Sequence, residues 1–212
     1  MIFELKQKKN KSLDETYKKS MKELDDFYGI RWERNLPNVF ILKSRKEINV
    51  IRGKDKEDWV VGWAGGFNTL YLLDYTKIKT ESSHKEVYSK EKYNALIKHE
   101  LSHLFFNILI KQGYSPIWLN EGVAIHLSGQ NKFKKEITEF KTFLTYYEKG
   151  GGEVYLESGF FVEILIEKYG KDKFLKFLKS LKSIKNRKEF DALFFKTYKF
   201  KLNYKEINKM LV

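Results

Sequence analysis

Cysteine is absent from the 212 residues. A disulfide framework, a thiolate metal site and a cysteine nucleophile are therefore excluded. Proline occurs only at Pro37 and Pro116, which excludes a proline-rich linker or a collagen-like segment. No apolar run reaches the ~18 residues needed for a membrane-spanning helix. Met1 to Lys6 has no apolar stretch of the kind a signal peptide requires. Together with the lack of cysteine, this points to a cytoplasmic protein. Arginine is also scarce: Arg31, Arg34, Arg45, Arg52 and Arg187 are the only ones among 41 basic residues. With 28 acidic residues the formal net charge is +13, an excess that raises the question of an anionic partner. The guanidinium forks that read phosphates and bases are mostly missing. The lysine-rich balance therefore argues for a solvated surface rather than specific nucleic-acid binding.

What is present is globular. Apolar residues make up 42% and aromatics 16%, enough to build one core without disulfide help. Ser12-Leu13-Asp14-Glu15 reads as a capping box. It opens a helix whose apolar residues Leu13, Tyr17, Met21, Leu24 and Tyr28 keep helical spacing up to Gly29. Val39 to Leu42 reads as a short strand, and Ser44-Arg45-Lys46-Glu47 as a second capping box opening a helix towards Ile51. Trp59 to Trp63 and Thr69 to Leu73 are strand-like, and Gly65-Gly66 between them suggests an antiparallel hairpin. From Ser89 onward the pattern is helical, over 90–112, 116–128, 132–148, 154–169, 171–184, 187–198 and 203–211. Strands early and helices late argue for an α+β domain. It divides into a helical extension at 1–37, a small, mainly antiparallel sheet at 38–88, and an all-helical region at 89–212.

The chain has four histidines, His84, His99, His103 and His126. Two of them form His99-Glu100-Leu101-Ser102-His103 inside an apolar helical stretch. Positions i and i+4 project from one helix face, so two imidazoles can converge on one metal ion. Glu100 lies about 100° further round the helix, where it can reach a water in an open coordination position. Two ligands do not hold a catalytic zinc; a third protein ligand is usual, with water in the fourth place. Pro116-Ile117-Trp118-Leu119-Asn120-Glu121-Gly122 offers one. Pro116 suits the first turn of a helix, and Glu121 follows among apolar neighbours, where a carboxylate needs a partner. Gly122 leaves room for close backbone approach. The expectation is one Zn²⁺ on His99 Nε2, His103 Nε2 and Glu121. His126 falls on another side of the Glu121 helix and reads as a core or capping residue. His84 lies in a polar loop and is assigned no role.

His99-Glu100-x-x-His103, followed by Trp118-Leu119-Asn120-Glu121-Gly122-x-Ala124, resembles the gluzincin zinc peptidases. The nearest resemblance is to the small peptidase MA-like domains, kin of thermolysin and the aminopeptidase-N group. Tyr155-Leu156-Glu157-Ser158-Gly159-Phe160-Phe161-Val162, running on to Tyr169-Gly170, is similar to the helix that follows the glutamate helix in those domains. Upstream, Val61-Gly62-Trp63-Ala64-Gly65-Gly66 and Leu70-Tyr71-Leu72 resemble their edge strand. The likeness spans about residues 38 to 205. His103 and Glu121 are 18 positions apart, one fewer than in the large aminopeptidases. The Gly-x-Met-Glu-Asn motif that grips a substrate amino terminus is missing, so the likeness extends to the metal site and not to substrate preference.

The resemblance implies a zincin-like fold and peptide-bond hydrolysis through a metal-activated water, with Glu100 as general base. It makes Tyr155 the candidate to donate a hydrogen bond to the developing oxyanion; Tyr114, Tyr146 and Tyr147 are rivals. A peptide or protein is the implied substrate, and an edge strand at Leu70 to Leu72 would hold it extended. Two alternatives belong to other classes. One is a non-catalytic peptide- or partner-binding module on the same scaffold, against which the intact His99, Glu100, His103 and Glu121 argue. The other is a basic regulator associated with nucleic acid through residues 168–201. There Lys173, Lys176, Lys179 and Lys182 lie opposite Phe174, Phe177, Leu178 and Leu181. An amphipathic helix packed on the core explains that pattern more simply.

Overall fold

The computed structural model describes residue 7 and residues 9–53, 57–84 and 88–211; the reading of Met1 to Lys6 lies outside them. The fold is α+β. Strand β1 (Asn38–Leu42) leads through α2 (Arg45–Arg52) to a hairpin of β2 (Gly62–Gly65) and β3 (Thr69–Leu73). The strand order is β1-β3-β2. β2 pairs antiparallel with β3, as the Gly65-Gly66 signal requires, but β1 pairs with β3 in parallel, from Asn38↔Thr69 to Leu42↔Leu73. The sheet is therefore mixed rather than mainly antiparallel. The physical reason is the path of the chain: α2 leaves it at the end where β1 finishes, β2 runs back antiparallel to β1, and the hairpin then sends β3 up between them in the direction of β1.

This topology corrects a second expectation. β3, with Leu70 to Leu72, is the central strand, and the edge beside the helical half is β2. The burial agrees: Leu70, Leu72 and Leu73 have no exposed surface, whereas all four residues of β2 are only partly buried. Side chains alternate across the pleat. Phe40, Tyr71 and Trp63 form a stacked aromatic row on one face, while Leu70 and Leu72 point to the other.

Helix α1 (Lys11–Tyr28) begins two residues earlier than the Ser12 signal suggested, because the Asn10 side chain accepts a hydrogen bond from the Leu13 N–H at 3.2 Å. Asn caps as well as Ser. α1 lies on α4 (Lys90–Ile110), with the Tyr28 hydroxyl 3.0 Å from Ser102 Oγ and its ring stacked on Phe105. Ser44 caps α2 as its sequence implies. A short helix α3 (Tyr75–Glu81), absent from the sequence reading, is capped by Asp74. Arg45 ties it to the approach to β2, its guanidinium donating to the carbonyls of Val60, Asp58 and Glu81.

The C-terminal half consists of α5 (Ile117–Ser128), α6 (Val154–Tyr169), α7 (Lys171–Ser180), α8 (Arg187–Tyr198) and α9 (Tyr204–Asn208). The helix expected over 132–148 does not form; only single 3₁₀ turns occur, at Gln130–Phe133 and Phe143–Thr145. Here a buried carboxylate displaces helical hydrogen bonding. Glu157, on α6, accepts from the backbone N–H groups of Lys141, Thr142 and Phe143 at 2.9–3.2 Å. Phe174, Phe177, Leu178 and Leu181 of the lysine-rich segment are buried. At roughly 1.5–3 kcal/mol per side chain, that burial fixes the apolar stripe inward and leaves the lysines towards solvent. Among the described residues no helix is long and apolar enough to cross a membrane.

Candidate metal centre

Two helices and an edge strand meet at the site. α4 is buried over most of its circumference, with His99 4% and Glu100 6% exposed. Pro116 stands at the N-cap of α5, just ahead of the first turn, and carries the chain into the helix that presents Glu121. Gly122 and Gly159 let α5 and α6 approach closely. A Cβ on Gly122 would lie 2.6 Å from the Ser158 carbonyl oxygen, and one on Gly159 would lie 2.2 Å from Ile125 Cγ2. Small residues at both positions set the distance between Glu121 and the start of α6, where Tyr155 sits.

His99, His103 and Glu121 come together as one group. The two Nε2 atoms are 3.1 Å apart, and Glu121 Oε2 lies 3.3 Å from His99 Nε2 and 3.6 Å from His103 Nε2. Two ligands at 2.0–2.1 Å from a tetrahedral zinc sit about 3.3–3.4 Å apart, so the three sides of this triangle bracket the spacing of a zinc site. The outer nitrogens fix the tautomers. His99 Nδ1 faces Gln130 Oε1 at 3.0 Å, and His103 Nδ1 faces Asn120 Oδ1 at 2.8 Å. An amide oxygen only accepts, so each Nδ1 carries the proton and each Nε2 presents a lone pair. Among the described residues, Glu121 Oε2 is buried and has no aligned hydrogen-bond donor. Three electron-pair donors thus face one another without a proton between them, an arrangement that a cation relieves. The residues fit a zinc ion in donor chemistry and spacing.

The two carboxylates are driven apart electrostatically. Burial opposes ionisation of Glu121, but the positive charges of His103 and His99 when protonated, with that of Lys134, outweigh it and hold Glu121 below the ordinary carboxylate range. Burial pushes Glu100 up to about 7; Glu121 adds to the rise, while His103 and a backbone hydrogen bond from Ala64 of β2 oppose it. β2 therefore lies directly against Glu100. Tyr155 is brought to the same place, with its ring 6.4 Å from that of His99 and 6.1 Å from that of Trp59. Burial, followed by Glu121 and Glu100, raises its phenol pKa, so it stays a neutral donor near pH 7. Its rivals are engaged elsewhere: Tyr114 donates to Glu148, Tyr146 to Glu153 and Tyr147 to Asp191.

His126 stands apart from this group, with Nδ1 4.0 Å from Glu163. His84 Nε2 is 3.0 Å from the Trp59 carbonyl oxygen. Sequence reasoning missed Gln130, Tyr88 and Lys134 as neighbours of the site, and quoted Asn120 only as part of a motif. Asn120 was legible as an amide beside the candidate ligand. Lys134 was hidden in a segment expected to be helical. A scan of protein-family models finds none that matches the chain, and a search of curated proteins finds no match either.

Proposed function

We propose that this protein is a zinc-dependent peptidase of zincin-like fold. The observation that carries the reading is the triangle of His99 Nε2, His103 Nε2 and Glu121 Oε2, tautomers set by Asn120 and Gln130, with Glu100 and Tyr155 beside it. A bound zinc ion would supply a Lewis acid and lower the pKa of its water towards about 7. The other parts belong to the chain. Glu100 takes the proton from the attacking water and delivers it to the leaving amine. The Tyr155 hydroxyl donates a hydrogen bond to the carbonyl oxygen as negative charge develops there. An extended peptide lies along the free edge of β2, its backbone pairing with that of Gly62 to Gly65. The contact of Ala64 with the Glu100 carboxylate supports this reading, in which the scissile bond lies over Glu100.

The experiment is a cleavage screen of peptide libraries with zinc-loaded protein, with and without a chelator. Glu100→Gln should retain zinc, fold and peptide binding and lose nearly all turnover. A Glu100→Gln protein that cleaves its best substrate at the wild-type rate overturns the reading. So does a His99→Ala protein that folds and still binds a full equivalent of zinc.

A further inference from the structure

Next to the metal centre is a cavity of about 520 Å³, walled by His84, Tyr88, Lys92, Gln130, Phe133 and Lys134 among others. Three of these residues connect it to the centre. Gln130 faces His99, Tyr88 feels the charge of Glu100, and Lys134 that of Glu121. Among the described residues no carboxylate lines it. Among the described residues, Lys134 Nζ is buried and has no hydrogen-bond partner; it lies 5.9 Å from the centre of the Phe160 ring. The two carboxylates it feels are both committed elsewhere. Glu121 belongs to the His99–His103 group, and Glu163 accepts from Asn131 Nδ2 at 2.7 Å while facing His126. A buried ammonium left without a direct partner is costly, and its four-carbon stem can swing it to meet an anion that enters. Lys92 supplies a second, partly exposed cation, seven residues before His99 and so about 10 Å away along α4. That distance corresponds to about three residues of extended peptide.

We propose that this cavity receives a carboxylate of the substrate, and that Lys134, assisted by Lys92, selects peptides bearing one within about three residues of the scissile bond. The inference rests on the peptidase reading. Two sources of the carboxylate are open to test, an Asp or Glu side chain and a free chain terminus. A neutral amide in the same place would leave the ammonium unpaired, and a charge-assisted hydrogen bond corresponds to roughly a tenfold to hundredfold preference.

The test is a decapeptide library, in free-acid and amidated forms, cleaved by the zinc-loaded full chain. Products should share an acidic group at one fixed place relative to the cut. If that place holds Asp or Glu in both forms, the source is a side chain; if cleavage needs the free acid, it is the terminus. For a matched pair with Glu or Gln at that place, or with free acid or amide, the kcat/KM ratio should be about tenfold or more. It should fall to about one in Lys134→Met and largely persist in Lys134→Arg, because only the charge is required. Lys92→Met should lower the ratio less, and keeps the test decisive if Lys134→Met does not fold. Cleavage without acidic preference, or a preference unchanged in these variants, overturns the inference and leaves the peptidase reading intact. If no peptide is cut, the peptidase reading fails, and the cavity is judged on library peptides retained by immobilised Glu100→Gln protein. Acidic enrichment that Lys134→Met abolishes supports the cavity assignment; no enrichment overturns it.

Discussion

Asn120 should control zinc affinity without touching the ion. Its Oδ1 accepts from His103 Nδ1 at 2.8 Å, which keeps the proton off the Nε2 that faces His99 and Glu121. In Asn120→Ala the imidazole is free to place its proton on Nε2, and that proton must be moved before a metal can bind. The ring also loses the contact that holds its plane. Such outer contacts are worth about 10- to 100-fold in affinity, or roughly 1.4–2.7 kcal/mol. Gln130→Ala should have an effect of the same order through His99, at 3.0 Å. The two amides act on different ligands, so the double variant should lose about the product of the two factors. Asn120→Asp keeps an acceptor and should bind at least as tightly as wild type. The assay is competition for zinc between chelator-stripped protein and a chromophoric chelator. If Asn120→Ala and Gln130→Ala both bind zinc within twofold of wild type while His103→Ala does not bind, the tautomer argument is wrong.

Three further outcomes follow from the fold. Gly122→Ala inserts a Cβ 2.6 Å from the Ser158 carbonyl oxygen, and should cost about 1–3 kcal/mol through overpacking, read as a lowered Tm with weakened zinc binding; an unchanged Tm would contradict the close α5–α6 contact. Glu157→Ala strips the acceptor from the N–H groups of Lys141, Thr142 and Phe143. With about 3 kcal/mol lost, Tm should drop by about 6–12 °C, and hydrogen exchange should quicken first at those amides. Burial lowers the His126 pKa from its ordinary 6.5, against an opposing pull from Glu163. The folded state therefore binds this proton less readily than the unfolded state, so the contribution is full above about pH 6.5 and is lost as pH falls through the depressed folded value. Denaturant titrations at falling pH should show a smaller loss of stability in His126→Gln than in wild type across that window.

Local chemistry was legible because it is written in spacing. The four-position step from His99 to His103 puts both rings on one face whatever the helix packs against. Ser44 and Gly29 mark helix ends by their own hydrogen-bonding and steric properties, and the Gly65-Gly66 hairpin needs only its own turn. The apolar stripe of Phe174, Phe177, Leu178 and Leu181 was sufficient to foresee its burial. Where an element depends on a distant partner, the sequence was silent or misleading. Residues 132–148 have helical spacing, yet Glu157 takes the N–H groups that a helix would need. β3 was read as an edge strand, although its near-continuous apolar run is the mark of a central one.

The sequence by itself singled out a group of residues with the chemistry to hold a metal, and the helices that carry them, because those are short-range facts of periodicity and side-chain chemistry. Only the tertiary structure decided that Glu121 Oε2 lies within 3.3–3.6 Å of both imidazoles, that Asn120 and Gln130 orient them, that β2 rather than β3 is the edge strand beside the helical half, and that Lys134 Nζ is buried beside the centre with no hydrogen-bond partner among the described residues. Each of these depends on where one helix or strand stops against another, and that is set by long-range packing such as the Gly122 and Gly159 contacts rather than by any local pattern.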